Sequence, residues 1–236
     1  SAFAHGTFVA PTIIEIDHIS QLDREIFGPV LHVLRYQRDT LDAVIDAVVL
    51  AGGRSSRLGS VAKATLTVEN QSLLQRTVAA VRGVSRECVV VGPVEPGTLA
   101  TPVLITREDP PFSGPAAALA AGVLALSAAT PNVSDAILVL ACDMPHISRA
   151  VPLLLKGLRE SPDSDGAIAR DIDGRLQPLA AVYRTPRLVS ALTLHRTSGS
   201  LDSLPMFRLI DGLHLVPVDV PDGATADVDS WDDAER

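Results

Sequence analysis

Positive charge is scarce in this chain of 236 residues: twenty Lys plus Arg stand against 28 Asp plus Glu, a formal charge of −8. No basic stripe runs along it, which argues against nonspecific binding to a nucleic-acid backbone, so any phosphate recognition must be local. Lysine is nearly missing, with Lys63 and Lys156 the only two. Cysteine is equally rare. Cys88 and Cys142 each sit inside or beside an apolar run and read as small buried side chains rather than as a disulfide or zinc pair. The six histidines show no ligand spacing. No run of about eighteen apolar residues occurs, and no basic segment leads into an apolar one at the N-terminus. The expectation is a cytoplasmic protein with no membrane span or secretion signal. What the chain does have is apolar bulk, 47% of its residues, enough for a sizeable core in one large domain or a medium domain with an appendage.

The most informative stretch is LAGGRSSRLGSVAK at 50–63. It follows a short β-branched apolar run, Ala47 to Val49, and so reads as a strand emptying into a glycine-rich loop. Paired glycines bring backbone N–H groups close to a ligand, and Arg57 and Lys63 add fixed positive charge, as a triphosphate cradle requires. Two better-known glycine motifs fail here. A P-loop needs glycine followed at once by Lys and Ser or Thr, but Gly59 is followed by Ser60. The spacing of Gly52, Gly53 and Gly59 does not fit the dinucleotide fingerprint.

What fits is LAGGxSxRxG followed by lysine, and on this motif residues 47–236 resemble the MobA-like nucleotidyltransferases, in particular the molybdenum cofactor guanylyltransferases. The resemblance implies an α/β fold, a doubly wound and mostly parallel sheet of the Rossmann-like nucleotidyltransferase type. The order of elements agrees independently. Ser72 caps a helix carrying Leu73, Leu74, Val78 and Val81 that Gly83 ends. Apolar runs follow at 88–91, 103–105 and 137–140, with an Ala-rich helix at 115–128 between the last two. Beyond them come a helix at 152–158, strands at 166–169 and 179–183, a helix at 188–194 and a strand at 213–218. Strands apolar on both faces and separated by helices imply a sheet covered on both sides, with its ligand crevice at the carboxyl ends of the strands.

The unusual residues fall in the loops after those strand ends. REDPPFSGPAAALAAG at 107–122 opens the Ala-rich helix at Gly114 and Pro115 and resembles the family's nucleotide-contacting segment. Asp109 is the candidate and Glu108 its nearest competitor. LVLACDMPHIS at 138–148 puts Asp143 directly after an apolar strand, where a lone carboxylate needs a cation or donor. Mg²⁺ prefers one or two carboxylates plus substrate phosphates, so Asp143 is the expected metal ligand. RLQPLAAVYR at 175–184 resembles the family's acceptor-side strand, giving Gln177 and Pro178. ADVDSWDDAER at 226–236 resembles a terminal motif that gives Asp227 and Asp229, before a helix capped by Ser230. One position departs from the family pattern: Ala62 stands where an aspartate usually precedes the lysine, which leaves Lys63 less constrained.

The resemblance implies a Mg²⁺-dependent enzyme that moves GMP from GTP to the phosphate of molybdopterin or molybdenum-molybdopterin. Leu50, Ala51, Gly52, Gly53, Lys63, Asp109 and Asp143 would bind nucleotide, and Arg57, Lys63 and Asp143 would act in catalysis. Relatives using CTP tend to read LAAG, so Gly52 tilts the choice to GTP. A cytidylyltransferase, a sugar-phosphate nucleotidyltransferase and a noncatalytic binding homologue remain the alternatives.

Residues 1–46 resemble a different family. The runs at 6–17 and 24–36 read as strands and 38–47 as a short amphipathic helix, a β/α appendage. EIFGPV at 25–30 resembles part of a proline-catabolic aldehyde dehydrogenase of the pyrroline-carboxylate type. A piece of this size cannot form such an enzyme. Its apolar residues, among them Phe8, Ile13 and Val30, need cover, and a homo-oligomer through this segment would supply it.

Overall fold

The computed structural model describes residues 12–16, 30–34, 44–52, 63–68, 70–95, 97–99, 102–130 and 132–228. The chain divides into two units, Ser1–Asp42 and Ala43–Arg236. In the first, β1 (Thr12–Ile16) and β2 (Val30–Leu34) pair in parallel, Thr12 opposite Val30 and Ile16 opposite Leu34.

The division falls at 42/43, ahead of the 46/47 boundary read from the sequence, because β3 (Ile45–Leu50) already begins at Ile45. The helix expected at 38–47 is thereby corrected over its last three residues; 38–43 lie outside the described residues. Asp46 explains the difference. It interrupts an apolar run as a helix's polar face would, yet it is buried in the strand. Arg86 forks onto it, Nε to Oδ1 at 3.1 Å and Nη2 to Oδ2 at 2.7 Å, and the Glu87 N–H donates to Oδ1 at 3.2 Å. A buried carboxylate met by three donors fits a strand that a solitary one would break.

After β3 come a short hairpin, β4 (Thr67–Val68) and β5 (Gln71–Ser72), then α1 (Leu73–Arg82), β6 (Cys88–Val91), β7 (Leu104–Thr106), α2 (Pro115–Ala129) and β8 (Ala136–Ala141). The chain continues through α3 (Val151–Glu160), β9 (Gly166–Arg170), β10 (Leu176–Arg184), α4 (Thr185–Ser198), α5 (Met206–Leu209) and β11 (Leu215–Asp219). At α1 the expected cap is a full capping box: the Gln75 N–H donates to Ser72 Oγ at 3.1 Å, and Gln75 Oε1 accepts from the Ser72 N–H at 2.9 Å.

Seven strands form one sheet in the order β11-β9-β10-β8-β3-β6-β7. Only β10 runs against the others, antiparallel to both β8 and β9. Successive residues of β3 serve opposite faces. Ala47 and Val49 join one core layer with Leu74, Val78 and Leu154, from α1 and α3, while Val48 and Leu50 join the other with Leu119 and Leu188, from α2 and α4. This is the doubly wound arrangement expected. From β3 the chain first builds outward through β6 to β7, then returns to lay β8 on the other side of β3. Strand order therefore reverses between β3 and β8, and their carboxyl ends flank the crevice where such folds bind ligands. No described helix is long and apolar enough to cross a membrane.

Candidate functional site

The end of β3 is pinned from both sides. The Ala51 N–H donates to Val91 O at 2.8 Å, and the Cys142 N–H donates to Leu50 O at 3.0 Å. Gly92, just past β6, has φ +152°, and a Cβ there would lie 2.7 Å from the Ala51 carbonyl carbon and 2.9 Å from Gly52 N. Only a residue without a side chain lets the two backbones pass so closely. Sequence reasoning misses Gly92; its signal is a glycine placed directly at the end of an apolar strand, in VVVGP at 89–93.

At this switch point opens a cavity of about 250 Å³ whose lining includes Leu50, Gly52, Glu108, Gly114, Asp143 and Leu179. Three residues singled out by sequence, Leu50, Gly52 and Asp143, thus come together at one rim, with Ala51 held between its neighbours. Gly114, at φ +92°, is the N-cap of α2, with Pro115 in the first turn and no side-chain cap. A helix start of this kind presents amide N–H groups to a ligand.

Asp143 follows β8 by two residues and is half-buried. Its carbonyl accepts the Val228 N–H at 2.9 Å, which brings the backbone next to the exposed Asp227 alongside Asp143. Gly53, Arg57 and Asp229 lie outside the described residues, as does the Ser230 cap. Of Lys63 the described part is the backbone, which opens a 3-10 turn at Lys63–Thr65.

Asp109 is placed elsewhere. It is exposed and borders a second cavity of about 570 Å³ on the outer side of α2, shared with Arg107 and Arg196. Its neighbour Glu108 borders both cavities and is only 7% exposed. Glu108 Oε1 accepts the Phe112 N–H at 2.9 Å, and Oε2 is buried with no hydrogen-bond partner among the described residues. Strand alternation, extended past the end of β7, distinguishes the two carboxylates. Residues 105, 107 and 109 are exposed, whereas 104, 106 and 108 turn inward, and a period of two assigns Glu108 to the inner set.

Neither Gln177 nor Pro178 lines the first cavity. Gln177 Nε2 donates to Asp171 Oδ2 at 3.3 Å, in the turn between β9 and β10, and Pro178 O accepts the Tyr183 hydroxyl at 2.7 Å. The residue that reaches the cavity from this motif is Leu179.

Among the described residues no group of three or more His, Cys, Asp or Glu is placed to hold a metal. The oxygen donors available, Asp143 with Asp227 near it, fit a hard cation that takes one or two carboxylates and completes its shell with phosphate oxygens and water. They do not fit a metal that needs nitrogen or sulfur ligands.

A family model described as a MobA-like NTP transferase domain matches residues 47–205. The chain is 36% identical over 142 residues to a "Probable molybdenum cofactor guanylyltransferase" of Pelotomaculum thermopropionicum, a match covering 58% of this chain and 62% of that protein. A 47-residue stretch is 62% identical to the bifunctional protein PutA of Rhizobium meliloti, covering 20% of this chain and 4% of that protein. The chain therefore spans under two thirds of the length of either relative. Among solved structures, a nucleotidyl transferase from Methanothermobacter thermautotroptrophicus is 25% identical, with a TM-score of 0.61 over 82% of this chain and 95% of that one. A 2-C-methyl-D-erythritol 4-phosphate cytidylyltransferase from Thermus thermophilus, 19% identical with a TM-score of 0.59 over 83% of this chain and 96% of that one, shares the fold.

Proposed function

The chain belongs to the MobA-like NTP transferase family, and from that premise we propose that it transfers GMP from GTP to the terminal phosphate of molybdopterin or its molybdenum-loaded form. An acceptor phosphate oxygen attacks the α-phosphorus, the α–β anhydride bond breaks, and pyrophosphate leaves. The acceptor phosphate is already a nucleophile, so no general base is required and catalysis falls to alignment and charge neutralisation. The backbone amide at Gly52 and the start of α2 would hold the nucleotide, with Ala51 fixed behind them by its bond to Val91 O, and the family resemblance adds Arg57 and Lys63 for its phosphates. Asp143, with Asp227 at hand, would hold Mg²⁺, which when bound offsets the charge that develops on the leaving pyrophosphate.

The observation that favours GTP is Glu108, which lines the cavity with Gly52 and whose buried Oε2 has no hydrogen-bond partner among the described residues. A Cβ at position 52 would lie 4.0 Å from Glu108 Oε1, so the two residues bound one recess. Guanine offers a ring N–H and an exocyclic amino group side by side, two donors for one carboxylate. Cytosine sets its amino group beside a ring-nitrogen acceptor, which would face the carboxylate lone pair to lone pair. A buried acceptor left unmet costs about 1–3 kcal/mol, enough to separate two bases by ten- to a hundredfold.

The test is pyrophosphate release with molybdopterin and each of the four nucleoside triphosphates. GTP is expected to give the fastest release, with Glu108→Gln narrowing its lead over CTP; release fastest with CTP would refute the assignment. GTP binding without pyrophosphate release would instead favour a noncatalytic homologue, the reading that Ala62 supports. Residues 1–46 enter this proposal as a noncatalytic appendage, consistent with a PutA match covering 4% of that protein's length. Deletion of residues 1–45 is expected to change the oligomeric state or solubility, and unchanged sedimentation and solubility would refute an interaction role.

A further inference from the structure

We propose that Tyr183 is a positioning residue for the cleft, its hydroxyl holding a bulge of β10 that keeps Leu179 in the cavity wall shared with Asp143. On β9, Ala169 and Ile168 are neighbours, but their partners on β10 are Gln177 and Ala181. Residues 178–180 are therefore extra on that edge, while Ala180 still pairs with Leu140 on the other side. A bulge in an interior strand leaves backbone groups that the ladder no longer satisfies. The Tyr183 hydroxyl meets one of them, donating to Pro178 O at 2.7 Å.

Tyr183 is suited to this task because it is itself immobilised. It is fully buried, in the same core layer as Ile168 and Leu188, and burial pushes its phenol well above the usual range, so the hydroxyl stays a neutral donor. The anchor and the displayed residue are four positions apart on one strand. Tyr183 sits where β10 pairs with both neighbours, Leu179 where it has left β9. Leu179 packs against both core layers and lines the cavity with Cys142 and Asp143. The bulge thus converts an interior strand into part of the cleft surface.

This inference rests on the nucleotidyl-transfer reading for its kinetic readout and on amide exchange for a readout independent of it. Tyr183→Phe, Leu179→Ala and the double variant are compared by pyrophosphate release, thermal unfolding and hydrogen exchange at Leu179 and Ala180. Tyr183→Phe is expected to speed exchange at those amides and to raise KM about three- to tenfold with kcat little changed, the loss of one part-buried hydrogen bond felt as looser binding. Leu179→Ala is expected to raise KM similarly, and the double variant to be no worse than the more affected single one. A lower melting temperature with unchanged KM and unchanged local exchange would overturn the proposal, as would multiplicative effects in the double variant. If Tyr183→Phe fails to fold, an unchanged KM in Leu179→Ala overturns it and a raised KM supports it. If the unaltered protein releases no pyrophosphate, the functional reading fails while the exchange comparison still decides the role of Tyr183.

Discussion

Alanine at position 92 should damage stability and nucleotide binding together. A Cβ on Gly92 meets the Ala51 carbonyl carbon at 2.7 Å, so restoring an ordinary contact of about 3.4 Å requires the two backbones to part by roughly 0.7 Å. Neither strand end yields easily: the Gly92 N–H is bonded to Thr106 O at 3.0 Å and the Ala51 N–H to Val91 O at 2.8 Å. Backbone strain of order 1–3 kcal/mol at a φ that L-residues avoid adds to a comparable overpacking cost, for a total of about 2–6 kcal/mol. In a unit of this size that corresponds to a fall in melting temperature of roughly 4–24 °C. Because the displaced backbone is Ala51 and Gly52, nucleotide affinity should fall as well, by about ten- to a hundredfold for a shift approaching 1 Å. Gly97 provides the control. It also has positive φ, +87°, but nothing within 4 Å of a built Cβ, so Gly97→Ala should cost about 1 kcal/mol and leave binding intact. Calorimetric titration with Mg·GTP and thermal melts measure both effects. Gly92→Ala with unchanged affinity and a melting temperature within about a degree of the unaltered protein would refute the close-approach account.

Asp143→Ala should abolish pyrophosphate release while leaving far-ultraviolet dichroism and the melting temperature near those of the unaltered protein; retained turnover would remove Asp143 from the mechanism. Arg86→Ala leaves Asp46, 2% exposed, with the Glu87 N–H as its remaining donor among the three described above, and should cost about 3–5 kcal/mol in urea unfolding. A loss below about 1 kcal/mol would show that Asp46 finds other partners. Burial, aided by the charge of Glu87, pushes the Cys88 thiol up to about 12, so it stays protonated through neutral and mildly alkaline pH. Iodoacetamide at pH ~8 should label Cys88 at least about a hundredfold more slowly in the folded protein than in urea, as mass spectrometry of the peptide carrying Cys88 would report.

The parts of the fold legible in the sequence are those fixed by local pattern. Cys88–Val91 is an uninterrupted apolar run and forms β6 with the expected bounds. Ser72 announces α1, and the Ala-rich stretch after Gly114 and Pro115 becomes α2 almost residue for residue. The start of β3 is not legible, because its stability depends on a partner 40 residues away. Asp46 within an apolar run is ambiguous between a helix's wet face and a satisfied strand carboxylate, and only Arg86 decides. The alternation of strands and helices points to the loops at the strand carboxyl ends, where Leu50, Gly52 and Asp143 line one cavity; family resemblance supplies residue types within those loops. It does not say which of two adjacent carboxylates turns inward.

The stretch RLQPLAAVYR at 175–184 separates these two kinds of information most sharply. A resemblance carries residue types at positions, and on that basis Gln177 and Pro178 border the acceptor. Which of three consecutive side chains meets the cleft depends instead on where β10 leaves its pairing with β9, a property of two strands and not of one motif. Regular alternation through 177–181 would keep β10 in register with β9 throughout. The extra residues at 178–180 break that register, sending Gln177 to the Asp171 turn, turning the Pro178 carbonyl to Tyr183 and placing Leu179 in the cavity. Tyr183 belongs to the same motif, as the ninth residue of RLQPLAAVYR, yet nothing local distinguishes a buried tyrosine that fills space from one whose hydroxyl holds a bulge. The same limit covers Gly92 and Asp46: in each case the deciding contact is made by a residue from another strand end, so position in the sheet, rather than residue type, assigns the role.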